Sequence, residues 1–399
     1  MKRLNGQREY LIHLLTEAAE IEHNLLCSYL YAAFSLKSAG EAASEHESQV
    51  IDTWRKTIIG VALEEMGHLA LVNNLLVAIG GAPHFDRPNL PVPPGYHPAG
   101  FVVRLMPLTK STLDHFIYLE RPVDAPVPDG RDYRAREPVK RIPTAGHLTP
   151  STPDYETIGE FYAEIRETLM AFAESVGPAA FLDTADRQLA LSGLPGLIAI
   201  RGLPDALAAL DTIVEQGEGS TSESAECHFA RFRTMRDEWT TLEAANPDFA
   251  PAHPAAHDPV MRRPSDKVVR VWVTHPPAAR LLDLGNALYA VTLALLQESY
   301  ALATPHDRRG APADAAMTLM RTLSEIGHAL AQLPAGEGED ANAGLSFAVP
   351  RNLRSAPPEA ASRLSLERLG ELRRGAAALN LHRVQAAIDD ATAKLGNAR

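Results

Sequence analysis

The chain has 399 residues, 45% of them hydrophobic and 22% charged, which is ordinary for a globular protein with ample material for a core. A net charge of −12, from 38 Lys and Arg against 50 Asp and Glu, and the lack of a basic tract interleaved with aromatics argue against nucleic acid or an anionic membrane as partner. Two cysteines, Cys27 and Cys227, build no disulfide framework; with no signal peptide and no apolar run long enough to span a bilayer, a cytoplasmic protein is expected.

Helix one is expected over residues 5–38, with Leu11, Leu15, Ala18, Leu25 and Tyr29 on its inward stripe. Glu22 falls at the centre of that stripe, whereas Glu17 and Glu20 lie on the outer side. Helix two is expected over 48–79, stopped by Gly80, Gly81 and Pro83. Within it, Glu65 sits in the stripe of Val61, Leu69, Val72 and Leu76, and His68 follows one turn later. That spacing places a carboxylate and an imidazole on one helix face. Glu64 points to the flank. An unpaired buried carboxylate costs several kcal/mol, so Glu22 and Glu65 need a proton, hydrogen bonds or a cation. One inward Glu followed by Glu-x-x-His is half of a di-metal carboxylate site in a four-helix bundle.

From residue 83 to 153 prolines recur, with a short helix expected near 109–120. A stretch this long suits the crossover that joins two parallel helices of such a bundle. Helix three is expected from Thr157 to about Val176, with Ile158, Phe161, Ile165, Leu169 and Phe172 inward; Glu160 and Glu164 fall off this stripe. Helix four begins at Pro204 and carries Leu207, Leu210 and Val214, with Glu215 and Glu218 spaced i, i+3. A further helix over 224–244 aligns His228 with Phe232, Met235 and Trp239, and His228 can supply the imidazole that helix four lacks. Residues 246–278 form a Pro-rich connector whose histidines, His253, His257 and His275, are spaced irregularly and suit a surface. Two apolar helices near 279–303 and 312–333 and a charged final helix complete the chain. The expected organisation is therefore a bundle over 1–245, with 83–153 as its crossover, the 246–278 connector, and a helical extension over 279–399.

The strings Ile21-Glu22-His23, Tyr29-Leu30-Tyr31-Ala32, Leu63-Glu64-Glu65-Met66-Gly67-His68 through Asn73, and Ile79-Gly80-Gly81-Ala82-Pro83 resemble one bacterial family. It is the ferritin-like domain family of the iminophenyl-pyruvate dimer synthases, found in violacein and chromopyrrolate-type pathways. Ile158 to Tyr162, Glu215 to Gly219 and Cys227 to Phe232 look like its later motifs. The resemblance spans about residues 8–240 and, more weakly, 279–350. It implies an all-α fold: a ferritin-like four-helix bundle with a long crossover and additional C-terminal helices. It also implies iron carried by Glu22, Glu65 and His68, with Glu215, Glu218, His228 and Glu160 added. Ordinary ferritins carry Glu-x-x-His on helix four; Glu215-x-x-Glu218 departs from that and leaves one or two ions open.

A carboxylate-rich site with one or two imidazoles suits ferrous iron, with manganese second, better than zinc or copper. The expected function is a non-haem iron oxidase or oxygenase, with one or two irons, acting on a small amino-acid-derived or imine-type molecule with dioxygen in bacterial secondary metabolism. Tyr29 and Tyr162 are candidates for hydrogen bonds to the ligands or for radical quenching. A homodimer is compatible with these features. The alternatives are a ferritin-like iron-binding protein without organic chemistry and a bundle that has lost its metal.

Overall fold

In the computed structural model, residues 8–397 are described except 94, 98–101, 134–149, 192, 195, 218–225, 265–269, 301–309 and 352–357. Among the described residues ten α-helices account for nearly all regular structure, and β-pairing is limited to isolated bridges. The fold is all-α.

Two long helices, α1 (Arg8–Ser35) and α2 (Glu45–Ala78), pack along each other. Ser44 caps α2 by accepting from the Glu47 amide, satisfying a donor that the first turn leaves orphaned. At the far end Gly80 takes a left-handed φ of 88°, which only glycine adopts freely. Gly81 passes so close to the Leu76 carbonyl that an added Cβ would lie 3.1 Å from its oxygen. Just before this turn, the buried side chains of Asn73 and Asn74 hold passing backbone: Asn73 binds both backbone polar groups of His84, and Asn74 binds Leu189 and Ile198. These two amides fasten the start of the crossover and the chain around Leu189 and Ile198 to α2.

The crossover carries α3 (Lys110–Leu119), capped by Thr109, and is followed by α4 (Ile158–Val176), capped by Thr157. After a loop come α5 (Leu203–Gln216) and α6 (His228–Ala245). α1 contacts α2 and α4, α5 contacts α2 and α4, and the four close a ring. α3 and α6 pack together, and α6 also meets α2, so this pair walls the bundle where α4 and α5 have ended. Trp54 and Trp239 stack 5.5 Å apart across the α2–α6 contact.

The last four helices are α7 (Pro276–Ser299), α8 (Gly310–Ala331), α9 (Pro358–Ala378) and α10 (His382–Asn397). α7 packs on α8 and α9, and α8 lies against α1. The charged final segment is thus two helices instead of one. Asn380, at a left-handed φ of 58°, makes the corner between them, a conformation asparagine tolerates better than most residues. By length and composition α7 could cross a membrane, but 67% of its apolar window is buried inside the protein. Within the 246–278 connector, buried Asp258 accepts from the Leu105 amide and pairs with Arg104, tying the connector to the crossover.

Candidate metal centre

Three helices and the end of a fourth aim carboxylates and imidazoles at one interior point. Glu22 comes from the middle of α1, Glu65 and His68 from the middle of α2, Glu120 from the residue that ends α3, and His228 from the first residue of α6. All five are buried. They form two triads, Glu22–Glu65–His68 and Glu65–Glu120–His228, in each of which the ligand atoms lie within 4.8 Å of one another. Glu65 belongs to both.

The distances show how the triads meet. His68 Nδ1 is 3.4 Å from Glu22 Oε2 and 3.2 Å from Glu65 Oε2. His228 Nδ1 is 3.0 Å from Glu65 Oε1 and 3.3 Å from Glu120 Oε2. The two imidazole rings face each other with centroids 5.7 Å apart and planes inclined by 29°. Each unshared carboxylate also accepts from a buried tyrosine hydroxyl: Tyr162 donates to Glu22 and Tyr29 to Glu120. Behind the ligands, His68 Nε2 meets Gln216 Oε1 at 2.9 Å and His228 Nε2 meets Glu64 Oε2 at 2.8 Å.

The electrostatics follow from this crowding. Burial and the neighbouring Glu65 push the Glu22 carboxyl up to about 8. Burial opposes charge on Glu65 too, but His68 and His228 outweigh it and hold that carboxyl well below its ordinary range. Against burial, Glu65 and Glu22 raise His68 to about 10, and Glu120, Glu64 and Glu65 hold His228 well above an ordinary imidazole. An interior field that favours positive charge on two buried imidazoles equally favours a bound cation.

Two further observations fit a metal. Glu22 Oε2, Glu65 Oε1, Glu120 Oε2 and His228 Nδ1 are buried and make no well-aligned hydrogen bond, meeting their neighbours only as ion pairs, an arrangement that coordination would complete. Gly217, at the end of α5, faces the same space: a Cβ there would lie 2.9 Å from His228 Nδ1 and 3.2 Å from Glu120 Oε2. The donor set of oxygens and imidazole nitrogens suits iron or manganese.

Of the residues expected from the sequence, Glu22, Glu65, His68 and His228 are brought together, and Tyr29 and Tyr162 lie directly behind them. Glu215 and Glu160 are not. Glu215 is exposed, because the buried stripe of α5 runs through Ala206, Ala209, Leu210 and Ile213, one residue earlier than the Leu207–Val214 stripe. Glu160 works at the start of α4: its amide donates to Thr157 Oγ1 and its carboxylate accepts from the Glu156 amide. Glu218 lies outside the described residues. Glu120 was not anticipated, although it extends the stripe of Leu113, Phe116 and Ile117 at helical spacing. The flank position of Glu64 holds, but its contact with His228 gives it a place behind the cluster.

A family model described as ferritin-like matches residues 15–237. The chain belongs to the ferritin-like family. Two curated relatives of this ferritin-like chain are 2-imino-3-(indol-3-yl)propanoate dimerase of Chromobacterium violaceum, 25% identical over 81% of the chain, and dichlorochromopyrrolate synthase of Lentzea aerocolonigenes, 26% identical over 85%. These agree with the resemblance read in the sequence. The chain spans about a third of the length of these relatives, 32% and 36% respectively. A crystal structure of a ferritin-like protein from Caulobacter vibrioides matches with a TM-score of 0.54 at 20% identity, covering 86% of this chain and 98% of that one. At that identity the likeness concerns the fold.

Proposed function

We propose that the protein is a non-haem iron oxidoreductase that uses dioxygen on a small 2-imino acid derived from an amino acid, in bacterial secondary metabolism. The observation that carries this reading is the pair of buried triads sharing Glu65, four of whose ligand atoms make no well-aligned hydrogen bond. Glu22, Glu65 and His68 would hold one iron, and Glu65, Glu120 and His228 the second. When bound, iron supplies the one-electron and dioxygen chemistry that no side chain provides.

The protein's own contribution is positioning and exclusion of water. Tyr162 and Tyr29 orient the unshared carboxylates through their hydroxyls. Tyr29, Phe116 and Phe232 form an aromatic wall, with ring centroids 4.6 Å apart for Tyr29 and Phe116 and 5.3 Å for the other two pairs. That wall dries the α3–α6 side and strengthens electrostatic interactions within it. The bare backbone of Gly217 leaves room beside His228 and Glu120.

The printed name of one relative, a 2-imino acid dimerase, supports an imine-type substrate. Joining two such imines carbon to carbon releases two electrons and two protons, which one dioxygen accepts to give hydrogen peroxide. The test is anaerobic reconstitution with ferrous iron, then mixing with oxygenated buffer, with and without an aromatic 2-imino acid generated in place from its amino acid. Oxygen uptake and peroxide formation that depend on the imino acid support the reading. Iron oxidation and accumulation indifferent to it would instead indicate iron storage, and a chain that binds no iron would be a metal-free binding protein.

A further inference from the structure

We propose that Glu64 is a positioning residue for His228 and that it makes the two metal positions electronically unequal. The inference rests on the two-metal reading above. Most of the centre is matched between its halves: Glu65 is shared, each half has one private glutamate, and each private glutamate takes a tyrosine hydroxyl. The halves differ behind the imidazoles.

His228 opens α6, and its preceding residue, Cys227, provides no side-chain cap. Its ring is held from the side by Glu64, whose Oε2 lies 2.8 Å from Nε2. Glu64 is gripped in turn by Arg231, with Nη2 at 3.0 Å from one carboxylate oxygen and 2.8 Å from the other. With Nε2–H donated to Glu64, Nδ1 faces Glu65 and Glu120 and would offer its lone pair there once a metal displaces its proton, the orientation a metal needs. His68 has the same arrangement, but its Nε2 partner is the neutral Gln216 amide at 2.9 Å. A hydrogen bond to a carboxylate is roughly twice as strong as one to a neutral acceptor, and it makes the imidazole a more basic ligand. Glu64 thus tunes one position, and Gln216 sits at the corresponding place behind the other.

The experiment uses the whole chain, loaded anaerobically with one or two equivalents of ferrous iron-57, and reads calorimetric affinity and Mössbauer spectra. The wild type is expected to bind two irons with two distinct quadrupole doublets. Glu64→Gln should weaken one equivalent by about 10–100-fold and move its doublet while leaving the other in place. Gln216→Leu should weaken the other equivalent instead, and Gln216→Glu should bring the two doublets closer. Glu64 and Gln216 are both only partly buried, so these variants are expected to keep the fold, which circular dichroism checks. If Glu64→Gln leaves both equivalents unchanged, or weakens both equally, this inference fails while the two-iron reading stands. One iron per wild-type chain also overturns it and leaves iron binding intact; no iron overturns both.

Discussion

The two halves of the centre are built from different kinds of backbone. Glu22, Glu65 and His68 project from the middles of α1 and α2, where helical hydrogen bonds run on in both directions. Glu120 and His228 project from an end and a beginning, the terminal turn of the ten-residue α3 and the first residue of α6. A mid-helix donor is placed by the helix itself, whereas a terminal donor needs outside bracing because half of its backbone hydrogen bonds are missing. A tyrosine hydroxyl on the private glutamate is common to both halves, and the structure supplies the additional bracing through the Glu64–Arg231 pair on His228. Preorganisation is inherited in one half and assembled in the other.

The sharpest way to break this comparison is to remove what the halves share. Glu65→Ala takes a ligand from both triads, and both irons should be lost, with affinity falling by more than about 100-fold; elemental analysis of the reconstituted protein reads it directly. Glu22→Ala should instead cost one iron of two, and equal losses from the two variants would mean that Glu65 is not shared. Next in size is Gly217→Val. Its branched side chain would enter the space beside His228 and Glu120, so the α3–α6 half should empty while the α1–α2 half keeps its iron. Full occupancy in that variant would show that the crowding is relieved elsewhere.

Smaller effects should come from the tyrosines. Tyr162→Phe and Tyr29→Phe each delete a hydroxyl bonded to a buried carboxyl group, a contact worth about 0.5–3 kcal/mol, with Tyr162 at the low end because the raised pKa of Glu22 keeps it protonated at neutral pH. Urea denaturation of the iron-free protein reads the loss, and each variant should disturb only its own half in the Mössbauer spectrum. Smallest of all, Glu215→Ala, at an exposed position, should leave iron content unchanged. Glu160→Ala should also leave it unchanged and cost roughly 1 kcal/mol through the start of α4. Loss of iron from either would return them to the ligand set.

The same contrast explains what could be read from the sequence. Glu22, Glu65 and His68 stand in long apolar stripes, where periodicity fixes direction over many turns and a charged residue is conspicuous. The bundle and its crossover were legible for the same reason, since α1 and α2 are long. Glu120 was hidden because α3 is short and embedded in Pro-rich chain, although its i−7, i−4 and i−3 neighbours Leu113, Phe116 and Ile117 carried the signal. Glu215 was misplaced because α5 buries only four residues, two of them the alanines Ala206 and Ala209, and small side chains mark a stripe weakly. A register error of one residue swings a helical side chain by about 100°, enough to turn an exposed glutamate into an apparent ligand.

Glu120 belongs to the crossover, and that gives a bound metal a second role. An ion held between Glu65 and Glu120 would tie together two points far apart along the chain. It would act as a removable cross-link in a protein neither of whose two cysteines forms a disulfide. By the loop-closure argument used for disulfides, such a tie restricts the unfolded chain by about 3–5 kcal/mol. Chelation should therefore lower the melting temperature and open the crossover to proteases ahead of the α1–α2 pair, so that a change in iron supply would be felt first as a change in the stability of that segment.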